Sequence, residues 1–365
     1  MRKAPTVTLV TLVALLALGL GALISRAGEE ASKDPLAQEI ARASAILHSH
    51  TETQGVWADV KQSSQPILAR AEEDLRAGRR LVAVQRLGSV KTSLATAAYV
   101  SEHSAQGKDE AVFAAEWERM GGTLRADLGP PSPTALEGVG PAAVRALAEG
   151  TMPQVRLFYE SSIEYGRSSM PGEGLYYLAS AQAKREALSL FRALATPAER
   201  RAPPVRPLAA ELDRLEEDIL EAYRPPASID RHAEFISASA TLKEARELDA
   251  AGLRYGALLR YLQAAQRIAP LRSALPALDA GALAERLAEF DRRLAAGDVD
   301  HSLGRLFLET AEADADAEPG KTPPSAVWIA SDVLPRYFAA LEPGRPAAPK
   351  PDPQVTVTLV RWPYT

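Results

Sequence analysis

Ala245-Arg-Glu-Leu248-Asp-Ala-Ala-Gly252-Leu-Arg-Tyr255-Gly-Ala257-Leu-Leu-Arg-Tyr261-Leu-Gln-Ala264-Ala-Gln-Arg-Ile-Ala-Pro270 reads as two helices and the turn between them. Ala245 and Leu248 fall one turn apart on the first helix. Gly252 supplies the left-handed turn that a side chain resists, and the small Ala257 lets the second helix approach the first. Tyr261 and Ala264 then fill the space beside it. Ala71, Gly78, Ala83, Leu87 and Val90 repeat the same spacing, so the chain predicts two αα-hairpins of one kind. Composition agrees: 68 Ala and 33 Arg against 9 Lys, with few β-branched or aromatic residues, make helix the default.

The stretch from Ala245 to Pro270 resembles a tetratricopeptide unit, with Ala245 and Leu248 on the first helix, Gly252 in the turn, Ala257, Tyr261 and Ala264 on the second helix and Pro270 near the exit. The resemblance implies stacked hairpins that bind another protein along a concave surface. A third stretch, Leu175 to Phe191, has the composition of such a pair but lacks turn residues in between, and no regular 34-residue period runs through the chain. The expected fold is all-α, with hairpins stacked as an irregular solenoid or bundle.

Working outward, helices are expected at about 35–52, 55–77, 79–104, 108–127, 133–149, 152–168, 172–195, 204–223, 228–251, 253–269, 279–296, 298–316 and 323–341. Pro35, Pro66, Pro133, Pro141, Pro153, Pro171, Pro197 and Pro204 are read as first-turn prolines. Pro203, Pro204 and Pro207 suggest a boundary near 203, dividing helical lobes 28–202 and 203–342.

Arg2 and Lys3 precede an uncharged run, Ala4 to Ser25, whose apolar core Val7–Ile24 is about 27 Å long as a helix, close to a ~30 Å hydrocarbon core. With Arg26, Glu29 and Glu30 after it, the positive-inside bias exports the body. Residues 1–27 are read as an inner-membrane anchor with a periplasmic body; cleavage after Ala27, leaving a soluble or secreted body, is the alternative. At the other end, 343–353 is a Pro-rich extended spacer. In 354–365, Val355, Val357 and Leu359 alternate with threonines as a strand, which docks on this protein, adds to a partner's sheet or is a disordered tail.

The absence of cysteine excludes disulfides, thiolate metal sites and thiol catalysis, and a net charge of −5 argues against nucleic acid as a partner. His48 and His50 are two apart and diverge on a helix, so no metal is expected there. The acidic run Glu309, Glu312, Asp314, Asp316 and Glu318 lacks the glycine placement of a calcium loop and is read as a frayed, solvated helix end. No phosphate loop or nucleophile elbow is present, and no cofactor is expected.

Glu160-Ser-Ser-Ile163, Ser169 and Gly172-Glu-Gly-Leu175 resemble the catalytic-glutamate region of lysozyme-like lytic transglycosylases. That resemblance implies Glu160 as the general acid/base of peptidoglycan cleavage. The glycine segment is one residue short, and Tyr176-Tyr177 replaces its expected continuation. Otherwise Glu160 and Glu164 form an exposed acidic face while Phe158, Tyr159, Ile163 and Tyr165 pack. The reading favoured is a non-enzymatic scaffold of the bacterial envelope that binds an envelope protein partner through aromatic anchors among Tyr176, Tyr177, Tyr255 and Tyr261 and through the strand Val355, Val357 and Leu359; the transglycosylase-like enzyme is the alternative.

Overall fold

A computed structural model describes residues 34–127, 141–194, 200–272, 274–317 and 321–341, and every regular element among them is helical. The expected membrane segment 1–27, the spacer 343–353 and the strand with Val355, Val357 and Leu359 lie outside the described residues. No described helix is long and apolar enough to cross a membrane. The helices are α1 (Pro35–Ser49), α2 (Val56–Arg76), α3 (Arg80–Glu102), α4 (Glu110–Asp127), α5 (Ala142–Arg167), α6 (Pro171–Leu194), α7 (Ala209–Ala222), α8 (His232–Ala250), α9 (Arg254–Gln266), α10 (Ala280–Ala295), α11 (Ser302–Ala317), α12 (Pro324–Trp328) and α13 (Leu334–Leu341). A π turn, Ile329–Val333, joins the last two.

The helices stack in pairs: α2 on α3, α5 on α6, α8 on α9 and α10 on α11. The α2–α3 and α8–α9 turns are alike bond for bond. Gly78 and Gly252 both have positive φ, 82° and 76°. Arg79 N donates to Asp74 O at 2.8 Å and Leu253 N to Leu248 O at 2.9 Å; Gly78 N reaches Leu75 O and Gly252 N reaches Asp249 O, each at 3.1 Å. Both turns therefore satisfy the last carbonyls of the first helix by the same left-handed glycine cap. Ala71, Ala83, Leu87, Val90, Ala245, Ala257, Tyr261 and Ala264 are all buried, as an interhelical seam of small and filling residues requires.

One apolar cluster runs from Leu36 and Leu47 of α1 through Leu87, Leu215, Leu258 and Phe290 to Tyr337 and Ala340, joining helices from both sides of residue 203. A smaller cluster holds α4, α5 and α6 together through Phe113, Met120, Val155, Tyr159, Leu175 and Leu178, with Tyr99, Trp117 and Phe158 packed against it.

Proline starts fewer helices than the sequence reading assigns. Pro35 and Pro171 do begin helices, but Pro66 lies inside α2 and Pro153 inside α5. The helices expected at 133–149 and 152–168 are instead one helix over the described part, α5. Buried Ala142–Val144, Ala146–Thr151 and Val155 flank Pro153, and Arg260 takes up the Gly150 carbonyl beside it, Nε at 3.1 Å and Nη2 at 2.5 Å. Packing on both sides thus carries a residue that costs an isolated helix about 3 kcal/mol. Pro204 starts no helix: residues 202–208 have no regular secondary structure, and α7 begins at Ala209. Leu175–Phe191, expected as a pair, is continuous helix within α6, whose partner is α5. The π turn falls just before Pro335, widening the helix where the missing N–H and the proline ring would crowd a regular turn.

Several helix starts have no local cap and are served by distant acids. Glu309 Oε2 accepts from Leu81 N at 2.9 Å and Val82 N at 3.1 Å at the start of α3. Glu149 Oε2 accepts from Gly256 N at 2.7 Å at the start of α9. Asp300 serves two helices at once, Oδ2 to Ala142 N of α5 at 2.6 Å and Oδ1 to Ser302 N of α11 at 2.9 Å. Glu309 is therefore buried structure, and not part of a frayed acidic end. The unpaired N–H groups and the positive end of α3 account for its place in the interior.

Candidate functional site

The α5–α6 pair places a set of aromatic rings at the surface. Its turn, Ser168–Met170, has no glycine; Ser169 itself takes the left-handed conformation, φ 60°. Just beyond the turn the two helices touch at glycine backbones. A Cβ on Gly174 would sit 2.9 Å from Gly166 N and 2.8 Å from the Phe113 ring, so nothing larger fits there. That close crossing brings Tyr165 of α5 against Tyr177 of α6.

The Tyr165 and Tyr177 rings stack with centroids 4.8 Å apart and planes 12° apart. Phe158 lies 6.1 Å on the other side of Tyr177, and Tyr176 meets Tyr177 edge-on at 6.0 Å. These are the offset and edge contacts that ring quadrupoles favour. The Tyr177 hydroxyl is held above its usual pKa, first by its hydrogen bond with Tyr165, then by burial and by the nearby Glu173 charge. Phe158, Tyr165 and Tyr177 are half-buried, whereas Tyr176 is 47% exposed; Leu157, next to Phe158 in the chain, and Met170 of the turn are exposed as well. Underneath, Trp117 stacks on Tyr159 at 5.1 Å, and the Trp117 indole N–H donates to Ser162 Oγ at 3.2 Å, which anchors the patch to α4. In a chain that is 6% aromatic, this concentration is a surface feature that needs an account.

The four tyrosines of the sequence reading separate into two groups. Tyr176 and Tyr177 belong to this face. Tyr255 lies elsewhere, under the Arg145 guanidinium at 4.6 Å, and its hydroxyl donates to Pro203 O at 2.8 Å. Tyr261 is buried in the α8–α9 pair, its hydroxyl accepting from Arg336 Nη1 at 3.4 Å. Phe158 and Tyr165 are the members that the sequence reading gave to packing. Their seven-residue spacing on one helix is the signal that could have joined them to Tyr177.

Glu160 stands in solvent, its side chain 66% exposed and 3.4 Å from Arg156 Nε of the preceding turn. The apolar enclosure that a proton-holding glycosidase carboxyl needs does not surround it. Among the described residues, no group of three or more His, Asp or Glu could hold a metal ion. His48 Nδ1 lies 2.7 Å from Ser44 O, while His50, just past the end of α1, stacks on Trp57 at 3.6 Å and contacts Glu52 at 3.2 Å.

A groove of about 560 Å³ lies between α1, α3 and α6, with Ala43, Ile46, Leu94, Ala98, Ala187 and Leu190 among its lining. At its rim Glu39 pairs with both Lys91 and Arg42, and it is held below the usual carboxylate pKa chiefly by the Lys91 hydrogen bond.

Comparison of the chain with protein-family models, with curated proteins and with solved structures returns no match to any of them. The α5–α6 face and its chemistry therefore carry the functional reading.

Proposed function

We propose that the chain is a non-enzymatic protein-binding scaffold of the bacterial envelope, anchored by residues 1–27, which docks a protein partner on the aromatic α5–α6 face. One observation carries the reading: Phe158, Tyr165, Tyr176 and Tyr177 form an unbroken run of ring contacts that reaches the surface at Tyr176. Rigid aromatic side chains that are already packed against one another lose little freedom on binding. They also bury much apolar area, which is why they dominate interface energetics. In this reading the two glycine-turned hairpins are divergent tetratricopeptide-like units that act as a rigid frame, and the α5–α6 pair is the part that recognises.

The test is affinity capture from detergent-solubilised membranes with the full chain and with Tyr176→Ser/Tyr177→Ser. The reading expects a protein retained by the wild type at stoichiometric yield and lost from the double variant, with capture counted per folded molecule. Equal capture by both chains overturns it.

A further inference from the structure

We infer that the groove between α1, α3 and α6 holds the hydrocarbon chain of a membrane fatty acid, whose carboxylate rests at Arg42 and Lys91. The inference goes beyond the protein partner proposed for the α5–α6 face and shares with that reading only the anchor at residues 1–27.

The groove is charged at one end and apolar along the rest. Asp34 pairs with Arg80 at 2.6 Å, and Glu39 pairs with Lys91 further along, so α1 and α3 run side by side in the same direction. Glu39, Arg42 and Lys91 therefore gather at one end. Ile46 lies seven residues beyond Glu39 and Ala98 seven beyond Lys91, which carries the lining about 10.5 Å away from the charges. Trp57, stacked on His50 just past the end of α1, lines the groove there.

The floor selects the occupant. Ala43, Ala95, Ala98, Ala183 and Ala187 present short methyl groups, and Ile46 is left 42% exposed. Beyond the charged end the lining has one polar side chain, Glu186, which is exposed on the α6 edge, where Gln182 Nε2 donates to it at 3.2 Å. An extended peptide laid on this floor would bury main-chain N–H and C=O groups without partners. A hydrocarbon chain has no such groups, and it covers Ile46 and the alanine methyls. The space, about 560 Å³, is that of a small-ligand site, for which ~300–1,000 Å³ is usual.

The charged end selects the head group. Arg42 and Lys91 share the single carboxylate of Glu39, which leaves this end with one net positive charge and with N–H donors to spare. A fatty-acid carboxylate supplies the missing negative charge. Its source is close: Pro35, which lines the groove, is eleven residues from Ile24, the last residue of the anchor's apolar core, at most about 40 Å of chain.

The experiment is photo-crosslinking of the full chain in phosphatidylcholine vesicles that contain palmitic acid with a mid-chain diazirine, the labelled peptides being mapped by mass spectrometry. The expected result is label at the groove, on Leu94–Ala98 and Ala183–Ala187, and on the anchor at 7–24. Ala95→Leu/Ala98→Leu extends two half-buried side chains into the groove and should cut groove labelling about tenfold, with anchor labelling unchanged. Arg42→Gln/Lys91→Gln leaves the floor intact, so it serves even if the first variant fails to fold. It too should lower groove labelling about tenfold at limiting probe, which is about 1.4 kcal/mol and near the lower end for hydrogen bonds to a charged group. Unlabelled groove peptides in the wild type, or equal groove labelling in all three chains, overturns the inference and leaves a helix of a protein partner as the occupant. Label in the groove with none on the anchor keeps the fatty acid and overturns the anchor instead, so the two failures are told apart.

Discussion

Val82 N donates to Glu309 Oε2 at 3.1 Å across most of the length of the chain. Its counterpart in the second hairpin, Gly256 N, donates to Glu149 Oε2 at 2.7 Å. The first hairpin is thus capped by α11, which follows the second hairpin, and the second is capped by α5, which follows the first. In each capping helix an arginine stands one turn before the glutamate, Arg145 for Glu149 and Arg305 for Glu309. Each hairpin's second helix thus takes first-turn acceptors from a helix outside its own pair, which couples the two hairpins.

The Glu309 cap has a pH consequence. Burial pushes its carboxyl up to about 7, opposed by the Val82 and Leu81 N–H groups and the Arg305 charge and reinforced by Glu312. A folded-state pKa above the unfolded value of 4.5 means the native state keeps a proton that the unfolded chain releases. The contribution to stability is full below about pH 4.5 and is lost as pH rises to about 7, amounting to no more than ~3 kcal/mol. Urea unfolding of wild type and Glu309→Gln at pH 5 and pH 8 should show the variant gaining on the wild type at the higher pH. A stability difference that is the same at both pH values would sink this account.

Two glycines of the second hairpin should respond differently to alanine. Gly252 has a φ of 76°, so Gly252→Ala is charged with the left-handed backbone, about 1 kcal/mol. At Gly256 a Cβ would lie 2.6 Å from Glu149 Cβ and 2.9 Å from Gly150 N, so α5 and α9 must separate. Gly256→Ala is expected to cost about 3 kcal/mol and to loosen the Glu149 cap. Denaturant midpoints decide between the two orders.

The tyrosines should divide by role. Tyr176→Ser, at a half-exposed site, should shift stability by less than about 0.5 kcal/mol and weaken partner capture. Tyr261→Ala should cost about 3–5 kcal/mol by opening the α8–α9 seam. Partner affinity should stay unchanged in whatever fraction remains folded. Capture measured per folded molecule, with folding followed by circular dichroism, separates these outcomes.

The hairpins were legible in the sequence because their signal is local: Gly78 and Gly252 mark turns, and Ala71, Ala83, Ala245 and Ala257 mark close approach on helical spacing. Tyr176 and Tyr177 were legible as neighbours for the same reason. What joins them to Phe158 and Tyr165 is the crossing at Gly166 and Gly174, a contact between helices that periodicity within one helix does not encode. Pro66 and Pro153 misled because a proline's local cost is outweighed by burial on both sides, which only the tertiary structure supplies. Glu309 was misread on its neighbours Glu312, Asp314 and Asp316, which describe a solvated run. Its own environment is set by the start of α3, far away in sequence.

Asp300 offers the sharpest test of long-range capping, because its two oxygens serve different helices. Asp300→Ala removes the acceptor for Ala142 N and for Ser302 N, about 1 kcal/mol each and ~2 kcal/mol together. Asp300→Asn keeps one carbonyl acceptor but turns an NH2 toward the other backbone N–H. It should therefore recover less than half of that loss, although it removes only charge and not volume. The same substitution acts on His301, whose pKa is lowered by burial and partly restored by the Asp300 charge. In Asp300→Asn the His301 titration, followed by NMR, should move further down. If both variants match the wild type in stability, the N-termini of α5 and α11 draw on other acceptors, and the shared cap has no energetic role.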